Sequence, residues 1–428
     1  MERYNSTRTV SKRDLPVFMS VILFLLVIGT AVAIYFIKDL SLIFLGVYAL
    51  ILILILVCNT KIPRQLGGVF RTLVGALFLF SGFVKAVDPI GFQYKFIDYL
   101  EAYHLMWLEP ISLVLVILAS ALEFVTGFML FFDIKHKIAI PVATLMMLGF
   151  TLLTLNDAIN NMVPDCGCFG EAVKLSNWQT FYKNLTIDLA LVIVWFTYSR
   201  MKPFVYSGTE IGSIVVVALL IIGFQVYCLV YLPVVDFRDW KVGKKMTLDD
   251  PVPIEYWVDY SNDSTGEIVS MLSNRIPYND SVWMSHWNYV NTRTIDKNVY
   301  NHNVMLFDES GSNVTANILA NPDPHIFIVS YSLSDIKMKH FDEIKDIISY
   351  CNTHNYDVEF ITSSEWDDIE EFAEENDIEV MFYNADDIEL KSMIRSNPGV
   401  LAMKNGYVLK KWSRNNLPDS EELDELFN

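Results

Sequence analysis

The first 232 residues alternate between long apolar runs and short polar breaks. The runs cover 16–37, 40–57, 69–87, 111–132, 138–155, 185–198 and 211–230. About 20 mostly apolar residues cross the roughly 30 Å of bilayer hydrocarbon, so the pattern predicts seven membrane spans. The sixth run is short, and Trp178–Tyr182 extends it as an interfacial anchor. The first run is too long for a cleaved signal peptide, and no small-residue cleavage site follows it.

Past residue 232 the periodicity changes. Short alternating segments at 254–260 and 281–287 predict a small β-rich region over 233–302. Strands are then expected at 304–308, 325–330, 358–362, 380–383, 399–403 and 407–412, with Asn405-Gly406 turning the last two into a hairpin. Ile336, Phe341, Ile344, Ile347, Ile348 and Cys351 recur at helical spacing over 335–354. Further helices are predicted at 364–376, capped by Ser363 or Ser364, at 386–394 and at 419–427.

Composition sharpens this division. The chain is 53% hydrophobic and 19% charged, yet its formal net charge is −18. Residues 1–232 carry 16 basic and 14 acidic side chains, whereas residues 233–428 carry 16 basic and 36 acidic. An apolar, nearly neutral half thus precedes a soluble domain of net charge −20. The aromatic content excludes disorder, and the missing basic footprint excludes a nucleic-acid partner. With the N-terminus inside, the inner segments hold 11 Lys and Arg against five in the outer loops. That bias puts the N-terminus in the cytoplasm and, after seven spans, the acidic domain outside. The expected location is a bacterial inner membrane, with the acidic domain in the periplasm standing off the anionic bilayer.

Several positions depart from plain apolar helix. Gly75 and Gly82 in the third span share one helix face. Glu123 lies 12 residues into the fourth span, roughly 18 Å deep at 1.5 Å per residue. Such a carboxylate should face the bundle interior, paired or protonated, and Arg71 is the expected partner because Lys85 sits near the other end of its helix. It reads either as a proton or ligand site or as a structural ion pair. Phe92, Phe96, Tyr99, Leu100 and Tyr103 predict an amphipathic helix on the outer surface, or a lid packed on the bundle.

The fifth-to-sixth outer loop reads Pro164-Asp165-Cys166-Gly167-Cys168-Phe169-Gly170. Three readings compete for its cysteines: a redox pair exchanging electrons with a quinone or a partner thiol, a structural pair, or an incomplete metal site. Cys58, Cys228 and Cys351 read as packing residues, and His286 and His302 as ordinary surface histidines.

Arg71, Gly75, Ser81-Gly82, Lys85, Asp88-Pro89, Leu122-Glu123, Gly127 and Cys166–Gly170 together resemble the DoxX/MauE family of small bacterial inner-membrane proteins. The resemblance covers about residues 65–200. It implies a four-helix membrane module associated with quinone-linked sulfur oxidation, or with disulfide formation in maturing periplasmic enzymes. By position, Cys166 and Cys168 would be the redox pair, while Arg71, Lys85 and Glu123 would line an intramembrane site. Residues 1–64 would add an N-terminal hairpin and 201–232 a seventh helix.

Residues 303–428 resemble the thioredoxin fold, with Asn397-Pro398 as its cis-proline turn. Where that fold places Cys-x-x-Cys, this chain has Ser330-Tyr331-Ser332-Leu333-Ser334-Asp335, so a non-catalytic binding module is expected. The resulting expectation is a polytopic helical membrane bundle followed by a thioredoxin-like α/β domain. Its function is that of a redox or maturation accessory, with a quinone as possible exchange partner and no resident cofactor or metal. The competing class is a membrane scaffold whose outer domain binds an envelope protein. A transporter lacks internal repeats and broken helices.

Overall fold

The computed structural model describes residues 64–163, 167–200, 209–248, 252–295, 297–298, 300–336, 338 and 341–427, with scattered positions between 46 and 55. The chain forms two compact units, Met1–Val235 and Asp236–Asn428. The first expected span and most of the second lie outside the described residues.

The first unit is helical. Its elements are α1 (Arg64–Val87), α2 (Pro89–Ala102), a 3-10 turn (Met106–Ile111), α3 (Ser112–Phe131), α4 (His136–Asn160), α5 (Asn177–Thr197) and α6 (Glu210–Val230). Four helical segments among the described residues are long and apolar enough to cross a membrane: Arg64–Val87, Met106–Phe131, His136–Asn160 and Glu210–Val230. Helix α5 corresponds to the sixth expected span and begins earlier than the apolar run. Ser176 and Gln179 form a reciprocal capping box that satisfies its first turn, so Trp178 and Tyr182 lie within the helix.

Helices α1 and α3 run antiparallel in close contact. A Cβ on Gly75 would lie 2.5 Å from the backbone nitrogen of Phe131, and one on Gly82 would lie 2.7 Å from that of Phe124. From the other side, a Cβ on Gly127 would meet the Leu79 nitrogen at 2.5 Å. Three glycines therefore let two backbones approach where any side chain would hold them apart. The core between α1, α3, α4 and α5 is filled by Val74, Phe78, Leu130, Ile140, Met147 and Leu191 among others. Helix α6 docks on α3 through a polar clamp, with Ser120 donating to the Gln225 side-chain oxygen at 2.6 Å and Gln225 donating to the Ile117 carbonyl. Gln225 is fully buried, so both of its polar ends need these partners.

The second unit holds two sheets. Strands β1 (Glu255–Asn262), β2 (Ile268–Leu272) and β3 (Trp287–Ile295) form an antiparallel sheet in the order β2-β1-β3. The short helix α7 (Ser281–Met284) precedes β3, with Asp280 as its N-cap. Then come α8 (Thr315–Leu319), β4 (His325–Ser330), α9 (Phe341–His354), β5 (Asp357–Thr362), α10 (Trp366–Asn376), β6 (Met381–Asn384), α11 (Asp387–Met393), β7 (Gly399–Lys404), β8 (Tyr407–Ser413) and α12 (Ser420–Phe427). The larger sheet runs β6-β5-β4-β7-β8, with β4, β5 and β6 parallel and β7 and β8 antiparallel to their neighbours. Ile326, Ile328, Phe360, Val400 and Ala402 lie on one face of it, over Phe341, Ile344 and Ile347 of α9 and Leu423 of α12.

Three local expectations are corrected. The 304–308 segment makes only two isolated bridges from Phe307, to Asn313 and to Asn384, rather than a strand. Helix α10 starts at Trp366 and lacks a serine cap. Ser363 instead donates to the Tyr331 carbonyl, and the Ser364 hydroxyl accepts from the Leu333 nitrogen, so tertiary contacts take both hydroxyls. His302 is buried against Trp240, with rings 5.4 Å apart, and is not a surface histidine. Burial holds its imidazole below the ordinary range.

Candidate functional site

The site is built from α1 upward. Ser81 and Lys85 are one turn apart and share the face that carries Gly82 inward. Lys85 Nζ lies 2.6 Å from Glu123 Oε2, and each side chain is 5% exposed. The same ammonium reaches Ser81 Oγ at 3.1 Å and sits 5.3 and 5.4 Å from the ring centres of Phe92 and Phe150. Ser81 in turn donates to the Cys168 carbonyl at 2.6 Å. Glu123, Lys85, Ser81 and the Cys168 backbone thus form one continuous polar chain inside an apolar bundle. Isolated charges there would each cost several kcal/mol or more, and direct pairing recovers much of that cost.

The Cys168 loop is seated by geometry as well as by that bond. Gly167 and Gly170 both have positive φ, at 60° and 51°. Gly167 packs on the aliphatic stem of Lys95 and Gly170 on Val84, so a side chain at either would be strained and crowded. Phe169 meets Phe80 with ring centres 5.5 Å apart, and Lys183 Nζ lies 4.4 Å from the Phe169 ring centre. Helix α2 covers this end as a lid: Tyr99 donates to Asp157 Oδ2 at 2.6 Å, and Asn156 donates to the Tyr103 hydroxyl at 2.7 Å. Beneath the loop is a pocket lined by apolar Leu77, Phe78, Met147, Phe150, Phe169 and Ile187, with Ser81, Lys85, Glu123, Lys183 and Asn184 as its polar groups. Cys168 also lines it.

Cys166 lies outside the described residues, as do Pro164 and Asp165. The structure brings Lys85, Glu123 and Cys168 together and leaves Arg71 apart, which corrects the expected Arg71–Glu123 pairing. Arg71 instead binds Asp133 at 3.4 Å and the Leu130 carbonyl. The reason is helix register. Gly82 faces Phe124 while Gly75 faces Phe131, so Glu123 is level with the last turns of α1. Arg71 lies 14 residues before Lys85, about 21 Å along the helix at 1.5 Å per residue. At that end His136 joins the cluster, 3.2 Å from Asp133.

Sequence reasoning missed Asp133, Lys183 and Asp188. Asp188 is buried in α5 and accepts from Thr151 at 2.8 Å. The signal that singled out Glu123, a carboxylate inside an apolar run, was equally present for Asp188. Cys228 and Cys351 are buried packing residues, and burial pushes the Cys351 thiol up to about 12. No group of three or more His, Cys, Asp or Glu among the described residues is placed to hold a metal ion.

In the second unit the Asn397–Pro398 peptide is cis and adjoins the 330–334 loop. Ser330 Oγ lies 2.7 Å from Asn397 Oδ1, and Asn397 donates back to the Ser332 carbonyl at 2.9 Å. Ser332 and Ser334 bond to each other at 3.0 Å. These hydroxyls are committed to holding the loop. Nearby, Asp236 accepts from Arg238 and Lys411, whose charges hold its carboxyl far below the usual range.

No curated protein and no solved structure matches the chain. Residues 63–197 match the family model described as methylamine utilisation protein MauE, so the segment that carries Lys85, Glu123 and the Cys168 loop is MauE-like in a protein with several membrane-length helices.

Proposed function

We propose that the chain is a membrane-embedded thiol–disulfide redox accessory whose working group is the Cys166/Cys168 pair. In the step envisaged, two thiols lose two electrons and two protons to form one disulfide, and a quinone of the bilayer takes up both to become a quinol. A client thiol pair is then oxidised by exchange with that disulfide.

The observation that carries this reading is the seating of Cys168 over the Ser81–Lys85–Glu123 chain, beside a pocket of apolar and aromatic side chains. Around that pocket two cations, Lys85 and Lys183, stand against one carboxylate. A positive field favours thiolate over thiol, and thiolate is the nucleophile in exchange. Mostly apolar and aromatic lining with a few fixed polar groups is the composition of a small-molecule site.

The second unit reads as a thioredoxin-like domain without dithiol chemistry. Its β5-β4-β7-β8 order and the cis Asn397–Pro398 turn support the fold, while Ser330, Ser332 and Ser334 occupy the loop where thiols would act. Its role is to present or hold an envelope protein in the periplasm. The scaffold reading rests on this same loop and would leave the membrane unit as an anchor.

The test is the redox state of Cys166 and Cys168 in membranes, by differential alkylation and mass spectrometry, before and after addition of a soluble short-chain quinone. The proposal expects the reduced pair to become oxidised with quinone, and the oxidation to vanish in Cys168→Ser. A pair that stays reduced supports the scaffold instead.

A further inference from the structure

Residues 233–428 carry 36 acidic and 16 basic side chains, yet cations gather at one end of the larger sheet. Lys391 is in α11, Arg395 follows that helix and Arg414 follows β8. Arg238 and Arg395 both donate to the Lys391 carbonyl, at 3.5 and 2.6 Å. Lys391 Nζ pairs with Asp387 at 2.6 Å and lies 5.7 Å from the Tyr331 ring centre. Arg395, Arg414 and Arg238 lie within electrostatic reach of the Tyr331 hydroxyl, as does Asp387. Tyr331 belongs to the loop that adjoins the cis Asn397–Pro398 peptide.

Carboxylates do not match these cations one for one. Arg238 and Lys411 share Asp236, and their side chains are only 5% and 4% exposed. Burial first, and then the Arg238 charge, pushes the Lys411 ammonium down to about 7. Arg414 is half-buried, and among the described residues its guanidinium meets no carboxylate. It donates to the Asn397 carbonyl at 3.1 Å. A guanidinium has five N–H donors in a planar fork that fits a carboxylate, and this contact uses one of them. The cations sit on α11, on the turn after it and past β8, rather than around one point. That spread suits several spaced carboxylates along a chain better than a single small ion.

We propose that this rim, centred on Arg414 and Tyr331, docks an acidic peptide segment of an envelope partner, with a side-chain carboxylate taken by the Arg414 fork. This deepens the reading of the sheet unit as the part that holds an envelope protein, and rests on it. The net charge of −20 on residues 233–428 repels acidic chains at long range, so the rim also fixes where such a partner lands.

The test is fluorescence anisotropy of a labelled Glu-Gly repeat peptide with the full-length protein in phosphatidylcholine nanodiscs, beside a Gln-Gly repeat. Wild type should bind the Glu-Gly repeat and not the Gln-Gly repeat, and added salt should weaken binding. Arg414→Gln should weaken it about tenfold. Arg293→Gln, which removes a cation paired with Asp259 on the smaller sheet, should leave it unchanged. No binding by folded wild type, or undiminished binding by Arg414→Gln, would overturn the proposal. So would displacement by inorganic phosphate beyond that by chloride of equal ionic strength, which would mark a site for a free oxyanion. Equal binding of the Gln-Gly repeat would keep the holding role and overturn its acidic chemistry. If Arg414→Gln does not fold, Lys391→Gln carries the same comparison. Quinone-driven oxidation of Cys166 and Cys168 is read on the same samples, so peptide binding beside an inert cysteine pair counts against the redox reading alone.

Discussion

Two loops of this molecule occupy comparable chemical positions and are built in opposite ways. The 167–170 loop of the helical unit carries Cys168 at the mouth of a pocket, held from below by Ser81, Lys85 and Glu123. The 330–334 loop of the sheet unit adjoins a cis-proline turn and carries serines, whose hydroxyls bond to Asn397, to each other and to nearby carbonyls. The first anchors its cysteine through the backbone to a buried ion pair and lines a small pocket with it. The second spends its polar groups on holding its own shape. Reactivity depends on what surrounds a loop, and the function proposed above rests on that difference in surroundings.

The comparison breaks most completely if the seat of the first loop is removed. Gly127→Leu puts side-chain atoms where the Leu79 backbone stands, and Gly82→Leu does the same against Phe124. We expect each to exceed the exceptional cost of about 4 kcal/mol and to abolish monodisperse protein in size-exclusion chromatography. A monodisperse Gly127→Leu variant would mean that α1 and α3 are not in this contact.

The next effect comes from the ion pair. Lys85→Met leaves Glu123 buried and unpaired, which should cost about 3–5 kcal/mol in detergent unfolding, and Lys85→Met with Glu123→Leu should recover most of it. Arg71→Met should show no such coupling to Glu123. If Arg71 and Glu123 couple instead, the register derived from Gly75 and Gly82 is wrong.

A smaller effect distinguishes how the sheet unit handles a buried carboxyl. Glu359 on β5 is buried with one oxygen unpartnered, and burial pushes it from its ordinary 4.5 up to about 8. Between those values the folded unit holds a proton that the unfolded chain has released, so stability falls as pH rises through that window. The contribution is complete below pH 4.5 and gone above about pH 8. Hydrogen exchange of β4 and β5 should show this slope in wild type and lose it in Glu359→Gln.

The smallest change is Ser330→Ala. It strips Asn397 Oδ1 of its donor and should cost about 1–3 kcal/mol, as expected for a buried acceptor left unsatisfied. Unfolding of the sheet unit, followed by tryptophan fluorescence, checks it. Thiol chemistry at Cys168 should not change.

Much of this was legible in the sequence. Apolar runs located the membrane-length helices because nothing else explains such lengths of unbroken hydrocarbon side chains. Gly75 and Gly82 marked one helix face, and the structure presses that face against α3. The Asn405-Gly406 hairpin was also readable, since both residues take the positive φ that the turn needs. What could not be read was register. Which cation meets Glu123 depends on where α1 stops and how far α3 rises past it, and no periodicity within one helix encodes that. The caps failed for a related reason: Ser363 and Ser364 look like helix starts locally, but partners at Tyr331 and Leu333 claim them. His302 looked like surface because Trp240, which buries it, lies 62 residues away in the chain.

The central claim is that electrons leave this protein at the Cys166/Cys168 pair and not in the sheet unit. The most direct measurement is stoichiometric: reduced full-length protein in nanodiscs is mixed with a soluble short-chain quinone, and quinol formed is followed by absorbance. The account predicts one quinol per chain, lost in Cys166→Ser and Cys168→Ser and unchanged in Cys351→Ser. Quinol formation that survives both loop substitutions, or none at all from the reduced wild type, would contradict it.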